Sequence, residues 1–260
     1  MARSLESISD AAGDFLERGE PARALELYAK AVTIAEASGR QSELSSLLGD
    51  MAVAYRRTGD IPSAVRTNRR AIEIARSCGN NLDIARWSGN LGGLLLSDDL
   101  AGAEACFREA VEAAARSGVP AQMSIAAGHL AGLMGERGRF SEAIEIMATA
   151  RGHANVSREV AAIISDQELA LFTRWTYSLR KEHRLREARD AVNRALAARV
   201  GEPRARGDAL LLMLLAEIEE NDGDVEAACG AIRRAIETHE ALGNHDDATQ
   251  LRDLERRMRG

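Results

Sequence analysis

The sequence predicts an all-α array of stacked helical hairpins, and three observations lead there. A small residue recurs at Ala24, Ala64, Ala103, Ala143, Ala188 and Ala228, at steps of 40, 39, 40, 45 and 40. Seven residues after each stands another alanine, at Ala31, Ala71, Ala110, Ala150, Ala195 and Ala235. Five residues before the first alanine a glycine marks the turn in four copies, at Gly19, Gly59, Gly138 and Gly223. Positions seven apart share a helix face, so the paired alanines give each second helix a smooth side that a neighbour can approach closely. A fixed period repeated through a whole chain is the signature of a repeat architecture.

The hairpin is clearest from Tyr55 to Arg76. A first helix ends at Thr58-Gly59, where glycine suits the left-handed residue that closes a helix. A second helix starts at once, and Pro62 is tolerated in its first turn because that N–H has no partner there. Such a unit cannot bury both faces alone, and the chain supplies copies at about 4–40, 44–80, 82–118, 121–155, 157–201 and 205–242. Bulky residues follow the first alanine by four, at Tyr28, Asn68, Phe107, Met147, Val192 and Ile232. Others precede it by nine and close the first helix, at Phe15, Tyr55, Met134 and Leu179.

Three copies depart from the pattern. The third lacks the turn glycine and one residue, reading Ser97-Asp98-Asp99-Leu100. Between the fourth and fifth copies five residues are added; Arg151 to Asn155 end a helix, and Ser157 or Ser165 caps a long one running through Leu179. The fifth copy carries His183 in place of glycine. After the sixth, residues 245–259 place Ala248, Leu251, Leu254 and Met258 at helical spacing among charges, as a polar-backed capping helix would.

This pattern resembles the tetratricopeptide repeat. Ala52, Tyr55, Gly59, Ala64 and Ala71 match it, as do Ala131, Gly138, Ala143 and Ala150. The usual period of that family is about 34 and that of HEAT and armadillo units about 40–47. The glycine turn and the alanine spacing favour the long tetratricopeptide subclass, similar to kinesin light chain and spindle-orientation scaffolds. The resemblance implies a right-handed superhelical array of six hairpins plus the capping helix, as a single domain over residues 1–260. It also implies a concave groove lined by the first helix of each pair, which in this family holds peptide segments.

Composition narrows the function. With 260 residues, 45% hydrophobic and 28% charged, the chain can bury a continuous core, and the 3% aromatic content fits packing through alanine. The N-terminus carries no apolar run of signal-peptide type and no stretch approaches a membrane span, so a cytoplasmic protein without membrane contact is expected. Cys78, Cys106 and Cys229 read as small buried hydrophobes in a reducing compartment. Lysine occurs only at Lys30 and Lys181, and this arginine bias suits a GC-rich bacterial genome. A formal charge of −6 argues against nucleic-acid binding, which leans on neutralising phosphates.

No catalytic motif is present: there is no phosphate-binding glycine loop, no HExxH, no nucleophile elbow and no Cys-x-x-Cys. The five histidines lack metal-ligand spacing, and no cofactor is implied. Aligning the first helices by their small residue puts Asp10, Asp50, Asn90, His129, Arg174 and Leu214 at one inward position. Gly13, Val53, Gly93, Gly132, Tyr177 and Glu217 fall at a second. Arg86 lies one turn before Asn90, and Arg56 with Arg57 and Arg180 with Lys181 lie one turn beyond the small residue.

The candidate peptide-binding residues are therefore Arg56, Arg57, Arg86, Asn90, Gly93, His129, Arg174, Tyr177, Arg180 and Lys181. They describe a groove that is basic at its middle, with acidic residues towards both ends. Asparagine can hold a main-chain amide with donor and acceptor, and arginine can grip a carboxylate with two parallel bonds. Gly89 with Gly93 and Gly128 with Gly132 have two readings, a bare floor for a peptide backbone or close helix packing. The arginines likewise read either as contacts or as a solvated face.

The function expected is a non-enzymatic adaptor or scaffold for an acidic or mixed protein segment. The alternative is a ligand-sensing regulator working with a separate effector chain. Self-association is open in both.

Overall fold

The computed structural model describes residues 4–152, 158–198 and 206–260, which form thirteen α-helices. In order they are α1 (Leu5–Glu17), α2 (Pro21–Ala37), α3 (Gln41–Thr58), α4 (Ile61–Ser77), α5 (Asn81–Leu95), α6 (Leu100–Ser117) and α7 (Pro120–Glu136). They continue with α8 (Phe140–Gly152), α9 (Arg158–Lys181), α10 (Leu185–Ala198), α11 (Arg206–Asp222), α12 (Val225–Ala241) and α13 (His245–Arg259). The predicted all-α fold of paired helices is present. The repeat limits at 155, 157, 201 and 205 and the cap at Ser157 lie outside the described residues. Ser165 lies buried within α9, seven residues past the start of that helix at Arg158.

The turns follow from backbone chemistry. Gly59 takes φ 84° after α3, its N–H donates to Arg56 O (3.1 Å) and the Asp60 N–H reaches back to Tyr55 O (3.0 Å). That pair of bonds satisfies carbonyls the helix end would leave orphaned. Asp60 then turns forward, its Oδ1 accepting from the Ser63 N–H at 3.0 Å as the cap of α4. His183 makes the same closure without glycine, at φ 59°, with Arg184 N–H donating to Leu179 O. In the shortened third copy no residue goes left-handed; the Asp98 and Asp99 N–H groups both donate to Leu95 O, and Asp99 caps α6. Glycines between hairpins, Gly39, Gly79, Gly118 and Gly243, also have positive φ. They punctuate the sequence as regularly as the turn glycines do.

By contacts the chain divides into two compact units, with the boundary inside α7 after Leu130. The first unit holds α1 to α6, α7 up to Leu130, and the end of α8 from Ala150. Its core runs from Leu5 and Ile8 through Tyr28, Leu44 and Leu48 to Ile72, Trp87 and Leu91. The second holds the rest of α7 and α8 with α9 to α13. Its core includes Met134, Met147, Ile164, Leu211, Leu214, Ile218 and Ile232. Across the two, all twelve in-register alanines are at most 2% exposed, which is why helices pack closely with so few aromatics.

Among the described pairs, helices touch only elements one or two steps away in the chain. In the second unit Arg189 of α10 donates to Glu219 (2.8 and 2.5 Å) and to Asp222 (2.7 Å) of α11. α13 packs on α12 and buries only Ala248 fully, so it closes the row with a polar outer face. Two expectations are corrected. Cys78 is exposed at the end of α4, where its thiol donates to Ile74 O, whereas Cys229 is buried and Cys106 half-buried. Leu214 belongs to the core at 1% exposure, because α11 turns that position towards its neighbours.

Candidate functional site

The first unit carries a cleft of about 230 Å³ between the first helices of its second, third and fourth hairpins. It is lined by Asp50 and Val53 from α3, Arg86, Gly89 and Asn90 from α5, and Gln122, Ile125 and His129 from α7. Each set repeats at three or four residues, so each helix turns one stripe inward. Three of the expected residues, Arg86, Asn90 and His129, thus meet in one place. The volume is below the usual range for a drug-sized ligand and suits a single side chain.

Trp87 forms the floor. It is 1% exposed and rests on the backbone of Gly49. Its carbonyl accepts a hydrogen bond of 3.1 Å from Asn68 Nδ2, which ties α5 to α4. The guanidinium of Arg86 stacks over the indole, 4.5 Å from the ring centre. His129 lies beside Phe107, with ring centres 5.5 Å apart, and its Nδ1 would be 3.5 Å from a Cβ on Gly89.

The cleft carries charges of both signs. Asp83 is 3% exposed; its Oδ2 accepts from Ser45 Oγ (2.9 Å) and Ser46 Oγ (2.8 Å), and its Oδ1 is 3.9 Å from Arg86 Nη1. Asp50 faces the same guanidinium. Burial pushes the Asp50 carboxyl up to about 6, the Asp83 charge adds to that, and Arg86 opposes it. Two carboxylates therefore lie near one guanidinium, with Asp83 the one at ion-pair distance from it. Loss of solvent around the His129 ring pulls its pKa below the ordinary histidine value, which keeps it neutral at physiological pH.

The other expected residues fall elsewhere. Arg56 is exposed and borders a dent of about 10 Å³ with Asn68 and Asn90. Arg57 is not free for a ligand: its Nη1 donates to Leu16 O at 2.5 Å, closing the C-terminal end of α1. Gly93 is exposed, and a Cβ there would meet nothing within 4 Å. In the second unit, Tyr177, Arg180 and Lys181 line a separate cleft of about 470 Å³ with His183, Leu185 and Asn221. Tyr177 is 52% exposed there, and Arg180 is paired with Glu217 of α11 at 2.5 Å. Arg174 is exposed on α9 and lines neither cleft.

Sequence reasoning passed over Gln122, Ile125 and the weight of Asp50. The signal was present: Ile125 lies four before His129, as Arg86 lies four before Asn90, and Gln122 lies seven before it. Of the glycines with two readings, Gly89 is in ordinary packing contact, a Cβ there standing 3.5 Å from His129 Nδ1. A Cβ on Gly49 would stand 2.0 Å from Trp87, and one on Gly92 would stand 2.5 Å from Phe107, so both are packing glycines. Gly93 and Gly132 face open space. Among the described residues no cluster of His, Cys, Asp and Glu could hold a metal ion, and no helix is long and apolar enough to cross a membrane.

Residues 4–77 and 43–116 match the family described as tetratricopeptide repeat. A solved structure of nearly identical TPR-like kinesin light chain repeats from Podosopora anserina superposes with a TM-score of 0.53 at 17% identity, over 77% of this chain and 97% of that one. A signal-transduction ATPase with numerous domains, carrying a tetratricopeptide repeat sensor, from Pyrococcus horikoshii gives 0.60 at 15% identity, over 98% of this chain. The match spans 38% of that protein's length. At such identities the likeness concerns the fold. No curated protein matches the sequence.

Proposed function

We propose that this array of kinesin light chain-like tetratricopeptide repeats is a non-enzymatic scaffold that holds an extended segment of a partner protein. The tetratricopeptide fold is generally one of protein–protein interaction, and the first helices offer the surface. The observation that carries the reading is the meeting of Asn90, Gln122, Arg86 and His129 around one cleft, with the bare backbone of Gly93 one helical turn beyond Asn90. Amides at that place can pair with a peptide main chain through both donor and acceptor. The cleft holds both signs of charge, so a mixed segment fits better than a purely acidic one. We read the chain as one array acting through two clefts, with Tyr177 and Lys181 as the exposed contacts of the second.

A phage-displayed library of short peptides, panned on the full chain, tests this. Selected peptides should lose about 5- to 30-fold in affinity on Asn90→Ala or on the double change Tyr177→Ala with Lys181→Ala. Selection of no peptide, or peptides indifferent to both variants, would sink the reading.

A second reading is a ligand-sensing regulator that acts on a separate effector chain. The Pyrococcus horikoshii neighbour, whose repeats form the sensor of a larger ATPase, favours it. Small-angle scattering with and without a selected peptide separates the two, since a sensor changes its radius of gyration and a scaffold hardly does.

A further inference from the structure

We propose that the cleft around Asp50 is a socket for one basic side chain, a lysine or arginine of the bound segment. This rests on the peptide-binding reading above and names what that site selects.

The charge balance carries it. Asp83 is already satisfied by two serine hydroxyls and lies next to Arg86, whose guanidinium is stacked on Trp87. Asp50 has no such arrangement. Among the described residues no N–H or O–H group donates to its carboxylate and no cation stands within ion-pair distance, although it is half-buried. Two carboxylates against one guanidinium leave the cleft one negative charge in excess. The missing counter-charge is a monovalent cation brought by the ligand.

The remaining walls fit the shape and hydrogen bonding of such a side chain. Val53 and Ile125, the latter 51% exposed, provide apolar faces for an aliphatic stem. The amide oxygens of Asn90 and Gln122 and an unprotonated nitrogen of His129 can accept around the charged head. A cleft of about 230 Å³ holds one long side chain and little else. An acidic side chain would meet Asp50 directly, and Arg86, the cation of the lining, is already engaged with Asp83 and Trp87.

The charged and titratable groups around Asp50 are Asp83 and Arg86 on α5, Tyr28 on α2 and His129 on α7. Burial lifts the Tyr28 hydroxyl to about 12, so it stays neutral throughout. A cation that binds ionised Asp50 loses affinity as pH falls through the carboxyl's free value. Protonation of His129 on acidification acts in the same direction.

The test uses the full chain and three probes: the acetylated amides of arginine, lysine and glutamate, each titrated while side-chain amide signals are followed by NMR. The arginine and lysine probes should shift the Asn90 and Gln122 amides, the glutamate probe should not, and the response should vanish in Asp50→Asn. In the native chain the affinity should weaken roughly tenfold between about pH 7.5 and pH 5. That pH series stands by itself if the variant fails to fold. No response to the cations, an equal response to the glutamate probe, or a cation response that survives Asp50→Asn or ignores pH would each overturn the proposal. Displayed peptides that depend on Asn90 but are indifferent to basic residues would leave the scaffold reading standing and remove only the socket. Cation binding without any selected peptide would do the reverse.

Discussion

Trp87 lies flat on the backbone of Gly49, so close that a Cβ at Gly49 would stand 2.0 Å from the indole ring. The indole is fully buried and cannot swing away, so Gly49→Ala must push α3 and α5 apart. Overpacking of this kind should cost about 1–3 kcal/mol. The reverse holds at Gly93, a helical glycine facing open space, where Gly93→Ala should stabilise by up to about 1 kcal/mol. Thermal unfolding followed by circular dichroism should move the two variants in opposite directions. A neutral Gly49→Ala would show that Trp87 does not hold this position.

Asp50 makes stability depend on pH. Its folded-state carboxyl is raised to about 6 from 3.8, so the folded chain binds the proton more tightly than the unfolded one. Stability therefore falls as pH rises between these values, and the loss is complete above about 6. Asp50→Asn should stabilise by up to about 3 kcal/mol at pH 7.5, and this gain should disappear below about pH 4. Urea denaturation across that range checks it. A gain of equal size at every pH would remove the charge from the explanation.

Arg57→Ala should lower stability by about 1 kcal/mol through the lost bond to Leu16 O and the frayed end of α1. Peptide affinity should stay within about twofold, because the guanidinium faces the helix end rather than either cleft. Measuring both on one preparation distinguishes a structural arginine from a contact. A clear loss of affinity with unchanged stability would reverse the assignment.

The helices, their order and the hairpin turns were legible in the sequence because a period of alanines and glycines fixes them locally. Ala64 and Ala71 need only a helix to share a face, and Gly59 needs only its own backbone to turn left-handed. The site was legible in part. Register arithmetic brought Arg86, Asn90 and His129 to one stripe, but it could not assign charge partners. Arg57 meets a carbonyl 41 residues away and Arg180 a carboxylate 37 residues away, and no local rule contains either distance. Asp50 read only as one of the acidic residues towards an end of the groove, because its burial, and the serines that satisfy Asp83 instead, depend on several helices at once. The glycines looked alike for the same reason: Gly92 and Gly93 are adjacent, yet one faces Phe107 and the other nothing.

His183 holds φ 59°, a left-handed backbone that costs a residue with a Cβ about 1 kcal/mol or more. His183→Gly should therefore stabilise the second unit by about 0.5–1 kcal/mol, read as a higher melting temperature. The histidine also lines the cleft of Tyr177 and Lys181. Should peptide affinity at that cleft fall while stability rises, the strained histidine would be a contact; a drop in stability would mean that its ring holds the turn.

Because the described helix pairs lie only one or two steps apart in the chain, no distant segment has to be found before such a helix gains its partner. Closing a loop of one repeat is an inexpensive step, growing by only about 0.6 kcal/mol for each doubling of length. Order can therefore start at any hairpin and spread outward along the row. Damage is bounded in the same way: a defect in one hairpin weakens the two interfaces it shares and leaves the hairpins beyond them with their own contacts intact.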